Sequence, residues 1–201
     1  GLVPHSESVR FRIGCFCRSY SIIIAFLSHF NKPWMADETR EKVPSASSIY
    51  RLFAVSTLQI IYASTSGHTE YVVGLVAESV KGAIVTRVER ATLETLLAGD
   101  VLLLASGSWN TGGAEGQLNP YMHFFLHGAA KDIDLNGKKV AVIGLGDERY
   151  RYTARAGELL QRWVEAHNGT LLGSPLIVVN EPYGQEAAVT AWARDLSRQL
   201  P

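Results

Sequence analysis

From residue 58 onward, short apolar runs of strand length alternate with longer stretches in which apolar residues recur at helical spacing. Residues 58–63, Leu-Gln-Ile-Ile-Tyr-Ala, are rich in β-formers and give way to small polar residues, the pattern of a buried strand. Residues 69–82 follow, with Val72, Val73, Val76, Ala77 and Val80 at helical spacing and Gly82 placed for a left-handed cap. The pattern then repeats. Strands are predicted at 84–88, 101–105, 139–143 and 171–179, the last interrupted by Gly173-Ser174-Pro175. Helices are predicted at 93–98, 118–130, 153–167 and 185–200. No room is left for hairpins. Strands joined only by helices pair in parallel through crossovers. The expected fold is therefore α/β: a three-layer, doubly wound, five-stranded parallel sheet.

Residues 57–201 are enough for this one domain. Residues 1–56 are expected to stand outside it, disordered, or foreign to the native protein ahead of Met35. The chain has 19 basic and 19 acidic residues, but residues 1–56 hold seven basic and four acidic ones, so the folding part is mildly acidic. Basic residues form no stripe, and nucleic acid is not an expected partner. Cys15 and Cys17, the only cysteines, lack the second pair that a zinc site needs, and they are too close for a relaxed disulfide. The longest apolar candidate, residues 22–27, falls far short of the ~20 residues of a membrane span. A monomeric cytoplasmic protein is expected.

Three connections leave the carboxyl ends of the first, third and fourth strands, the edge where open parallel sheets bind ligands. The first is Ser64-Thr65-Ser66-Gly67-His68-Thr69. Its hydroxyls and the amides of the helix start suit a phosphate, and Gly67 allows close backbone approach. It contains neither a lysine nor Gly-x-Gly-x-x-Gly, which argues against nucleoside triphosphates and nicotinamide dinucleotides. A plain helix cap by Ser66 or Thr69 is the other reading. The second connection is Ser106-Gly107-Ser108-Trp109-Asn110-Thr111-Gly112, and the third is Gly144-Leu145-Gly146-Asp147-Glu148-Arg149-Tyr150-Arg151-Tyr152. Each offers an aromatic plane flanked by glycine, suited to stacking on a flat ligand.

Ser64-Thr65-Ser66-Gly67-His68-Thr69-Glu70-Tyr71 resembles the FMN-phosphate motif of the short-chain flavodoxins, and Gly144-Leu145-Gly146-Asp147-Glu148-Arg149-Tyr150 resembles their Gly-x-Gly-Asp-x-x-Tyr loop. The resemblance covers residues 57–201. It implies a low-potential one-electron carrier with non-covalent FMN, passing electrons from a flavodoxin/ferredoxin reductase type of donor to an acceptor enzyme. It further implies that Trp109 stacks on the inner face of the ring, that Tyr150 stacks on the outer face, and that Tyr152 closes the loop. Gly146 and Asp147 would then offer backbone groups to the pyrimidine edge. Ser66 stands where the family usually has threonine, and His68 where asparagine is common. Asn110 stands where glycine would turn the peptide over at little strain. Arg149 and Arg151 flank Tyr150 and would ease full reduction by their positive charge.

The alternative on the same fold is an FMN-dependent NAD(P)H:quinone-type reductase, which needs one face of the ring open to hydride transfer. A flavin-free module binding phosphate or a partner is a third reading. His123 and His127 sit at i and i+4 on a predicted helix without an evident third ligand, so no metal site is expected.

Overall fold

The computed structural model describes residues 57–201. The expectations for residues 1–56, including Cys15, Cys17, Met35 and the apolar run 22–27, lie outside the described residues. The elements are β1 (Leu58–Ala63), α1 (His68–Ser79), β2 (Ile84–Arg87), α2 (Leu93–Leu97), β3 (Val101–Thr111), β4 (Ala114–Leu118), α3 (Pro120–Phe124), β5 (Lys139–Gly146), α4 (Arg155–Ala166), β6 (Thr170–Leu171), β7 (Leu176–Val179) and α5 (Glu186–Gln199). A single π turn, Phe125–Ala129, continues α3.

The sheet runs β2-β1-β3-β5, with β6 and β7 both paired in parallel to the far side of β5. These two short strands are the interrupted fifth strand; Gly173, at φ +68, lies between them. Alternate residues of each strand feed two cores. Leu58, Ile60 and Tyr62 pack with Val72, Val73 and Val76 of α1 and with Val189, Ala193 and Leu196 of α5. Ile61 and Ala63 face the other way, onto Leu96 of α2, Met122 of α3, and Ala156, Leu160 and Trp163 of α4. The result is the expected three layers. Gln59, buried in β1, donates from Nε2 to Thr86 Oγ1 at 3.1 Å, so the central strand keeps no unsatisfied amide there.

One expectation is overturned. The second connection is not an open loop: β3 continues through it, turns at Gly112-Gly113 and returns as antiparallel β4, pairing Ser108 with Leu118 and Trp109 with Gln117. Gly112 and Gly113 have φ of +63° and +79°, the pair of left-handed residues that a tight two-residue hairpin needs. Helix α1 ends at Ser79, short of the predicted 82, and two helix starts move by two residues. Pro120 starts α3 behind the Asn119 cap, later than predicted. Ala154, left-handed at φ +51°, delays α4 to Arg155.

Candidate functional site

The last rungs of the central ladder are Ala63 with Ser106 and Gly107 with Leu145. Beyond them β1, β3 and β5 part, and their three connections enclose a cavity of about 500 Å³, within the size range of small-molecule pockets. Thr65, Ser66, His68 and Thr69 line it from the first connection. Gly107, Ser108, Trp109 and Asn110 line it from the second, and Leu145, Gly146, Asp147, Tyr150 and Tyr152 from the third.

The first connection is shaped by its own hydrogen bonds. Ser64 is buried, and its Oγ accepts the Gly67 amide at 3.1 Å, while its carbonyl accepts from Arg87 at 2.8 Å. Gly67 lies at φ +91° with open space where a Cβ would stand, so backbone conformation rather than crowding calls for glycine. No side chain caps α1, so neither Ser66 nor Thr69 plays that part. The first helical bond runs from the Tyr71 amide to the Gly67 carbonyl at 2.9 Å, which leaves the preceding amides as donors at the positive end of the helix dipole. Uncapped amides, neutral hydroxyls and a left-handed glycine suit a phosphate monoester.

Asn119, at the end of the hairpin and fully buried, holds this connection in place. Its Nδ2 donates to Thr65 Oγ1 at 2.8 Å, and its Oδ1 accepts the Tyr121 amide at 3.1 Å. His68 is also tethered: Nε2 lies 3.0 Å from Glu181 Oε2, and the ring meets Tyr183 edge-on. A carboxylate thus stands near the amide cluster.

The aromatic planes are half open. Trp109 is 37% and Tyr150 54% exposed, so each keeps a surface free for a flat ligand. A side chain at Gly107 would begin 3.2 Å from the Trp109 indole nitrogen, so this glycine makes room for the ring. Tyr152 joins the third connection to the hairpin. A Cβ on Gly116 would fall 2.4 Å from the Tyr152 Cβ. The Arg155 and Arg151 guanidiniums lie 4.8 Å and 5.5 Å from the centre of its ring.

Asp147 accepts from Arg149 through the backbone amide, through Nε to both oxygens and through Nη2. The guanidinium and the amide hold its carboxyl down to about 2. Arg149 is therefore charge-paired with Asp147, and the Arg151 guanidinium lies over the Tyr152 ring.

Six expected contacts do not line the cavity: Ser64, Gly67, Ser106, Thr111, Gly112 and Gly144. Ser64 is turned inward to brace the loop, and Gly67 supplies its bend. Ser106 is fully buried, accepting the Asn119 amide at 3.0 Å. Thr111 closes the hairpin by donating to the Leu118 carbonyl at 2.7 Å, and Gly112 forms its turn. Gly144 serves packing: a Cβ there would fall 2.5 Å from the Gly157 amide nitrogen, because α4 rides directly on β5.

Glu115, Gly116, Arg149, Asn180 and Glu181 line the cavity without having been expected to. The Gly-Gly pair could have revealed the hairpin that delivers Glu115 and Gly116. Asn180 follows β7 at φ +66°; its amide donates to the Gly146 carbonyl at 2.8 Å and its Oδ1 accepts the Glu148 amide at 3.0 Å. No local pattern announces that link across 34 residues of chain. Among the described residues no group of three His, Cys, Asp or Glu could hold a metal ion, and no helix is long and apolar enough to cross a membrane.

The family model described as "Flavodoxin" matches residues 60–192. A flavodoxin from Maridesulfovibrio salexigens is 24% identical over 147 residues, covering 70% of this chain and 97% of its own length. The crystal structure of oxidised flavodoxin 2 from Bacillus cereus is similar at a TM-score of 0.64, with 28% identity over 72% of this chain and 99% of that one. A Fusobacterium nucleatum flavodoxin, solved bound to flavin mononucleotide, matches in fold at a TM-score of 0.56 and 16% identity, covering 72% of this chain and 96% of its own.

Proposed function

The chain belongs to the flavodoxin family, whose members are electron-transfer flavoproteins rather than enzymes, and we propose that it carries single electrons on non-covalently bound FMN held in this cavity. The observation that carries the reading is the meeting of uncapped α1 amides with two half-open aromatic planes beyond the last rungs of β1, β3 and β5. When bound, FMN supplies the one-electron chemistry; the protein places the ring and sets its surroundings.

The residues divide the task. Thr65, Ser66 and Thr69 and the amides that open α1 hold the phosphate. Trp109 and Tyr150 take the two faces of the ring, which limits water and leaves little access for a hydride donor. The backbone at Gly146 and Asp147 meets the pyrimidine edge. Asn110 lies in β3, where the register shifts between Trp109 and Thr111, and is not among the left-handed residues. Asn110→Gly lets that peptide turn more freely, and the first one-electron potential rises in a redox titration; an unchanged potential removes this role for the peptide.

The electron donor is a reductase of the flavodoxin/ferredoxin type and the acceptor a redox enzyme, with the carrier working as a cytoplasmic monomer. The purified chain takes up added FMN with a shift of its visible bands and quenching of the flavin emission. Stopped-flow mixing of the holoprotein with NADPH alone leaves it oxidised, whereas addition of a reductase reduces it. Rapid reduction by NADPH alone would overturn the carrier reading in favour of an NAD(P)H:quinone-type reductase.

A further inference from the structure

A second cavity, of about 300 Å³, opens between β4, the α3 segment and α4, away from the three connections. Its wall carries His123, His127, Lys131, Arg162 and His167, and no carboxylate. Among the described residues, the acids paired with Lys131 and Arg162 are Asp132, 3.7 Å from Lys131 Nζ, and Glu158, one turn before Arg162 on α4; neither lines the cavity. The rest of the wall is mostly apolar, including Leu118, Leu126 and the Trp163 indole. Such a lining rejects metal cations and accepts an anion that also carries an apolar body.

Three further observations point the same way. The Trp163 indole N–H is buried and meets no acceptor among the described residues. The backbone at Leu126 and His127 is drawn into the π turn, an irregularity frequent at functional sites, and the His127 ring lies 4.5 Å from that of His123. Partial desolvation, with His123 and His167 nearby, holds the His127 imidazole below the ordinary histidine range even though the residue keeps an exposed edge. His167 is already engaged: Nδ1 is 2.7 Å from the Trp163 carbonyl and Nε2 is 3.1 Å from that of Lys131, with the ring stacked on Trp163. The polar side chains that face a ligand are therefore His123 and His127, with Lys131 and Arg162 at the rim, each sharing its charge with an acid outside the cavity.

We propose that this cavity is a binding site for a small amphiphilic carboxylate, its apolar body against Trp163 and Leu126 and its charge toward Lys131, Arg162 and the His123–His127 pair. The volume admits on the order of ten water-sized groups, the size of an aryl carboxylate. The site does not depend on the flavin reading, because none of these residues lines the first cavity.

Benzoate is the probe, with benzyl alcohol as its uncharged counterpart and inorganic phosphate as an anion without an apolar body. The full chain is labelled with ¹⁵N and kept in excess FMN, so that the first cavity does not compete for the aromatic acid. The indole N–H signal of Trp163 is identified by its loss in Trp163→Phe. Benzoate shifts this signal saturably and binds at least tenfold more tightly than benzyl alcohol or phosphate. A Lys131→Gln/Arg162→Gln double variant, which removes two exposed charges from the rim, weakens benzoate by roughly tenfold or more while leaving the remaining spectrum in place. Absence of a saturable shift, equal binding of either control, or unchanged binding by the double variant would overturn the proposal.

Discussion

Single glycines decide how closely the parts of the site approach one another. A Cβ on Gly146 would stand 2.0 Å from the Ala154 amide nitrogen and 2.5 Å from its Cα, both backbone atoms that cannot step aside. Gly146→Ala therefore destabilises the fold by about 1–3 kcal/mol, the range of overpacked sites, and shifts the third connection; denaturant unfolding measures the first effect and FMN affinity the second. Charge at single residues acts differently. The Asp147 carboxyl, held at about 2 by Arg149, sits below the ordinary aspartate value of about 3.9. The pair therefore contributes its full stability above about pH 4 and loses it as the pH falls through about 2. In Arg149→Gln the Asp147 carboxyl titrates higher, part of the way back to the ordinary value because the residue-149 amide still donates to it, which a pH series of its carboxyl carbon signal reads directly; an unmoved titration would assign the shift to some other neighbour.

The β3–β4 hairpin is the element that most changes the site. It turns the second connection from a loose glycine-rich stretch into a paired ribbon, and so fixes Trp109 across from Gln117. Its return strand leads into Asn119, which caps α3 and grips Thr65 of the first connection. Asn119→Ala removes both bonds of a buried side chain and its cap on α3, and costs about 1–2 kcal/mol in denaturant unfolding. It also weakens FMN more than riboflavin, because the slackened loop is the one proposed to hold the phosphate. Equal weakening of the two ligands would place the effect at the ring instead. The hairpin was legible in outline, since Gly112-Gly113 between Thr111 and Ala114 is a known turn pair; the smooth strand–helix alternation elsewhere hid it. Asn119 was not legible as a tie, because its partner lies 54 residues away.

On the proposed placement, one cofactor bound between three connections would tie the carboxyl edge of the whole sheet together. Ligand that binds only the folded chain stabilises it by mass action, about 2.7 kcal/mol when free FMN stands at a hundred times its dissociation constant. Thermal or denaturant unfolding at several FMN concentrations checks this, with riboflavin at equal concentration giving a smaller rise. Equal rises would remove the phosphate from the interaction. The two cores, one on each face of the sheet, are built largely from residues that do not line the cavity. The apo form is accordingly expected to stay folded while its three connections loosen.

The sequence by itself determined the alternation of strands and helices, hence the parallel sheet, and the glycine bend of the first connection. These are local matters of period and turn chemistry, written in neighbouring residues such as the valines of α1 and the left-handed Gly67. Only the tertiary structure decided which residues face the cavity. It turned Ser106 and Gly144 to packing, paired Arg149 with Asp147, and brought Asn180 and Glu181 from beyond β7 to the rim. The reason is physical: whether a side chain meets ligand or core depends on what packs behind it, and at Gly144 that neighbour is Gly157 of a helix formed later in the chain.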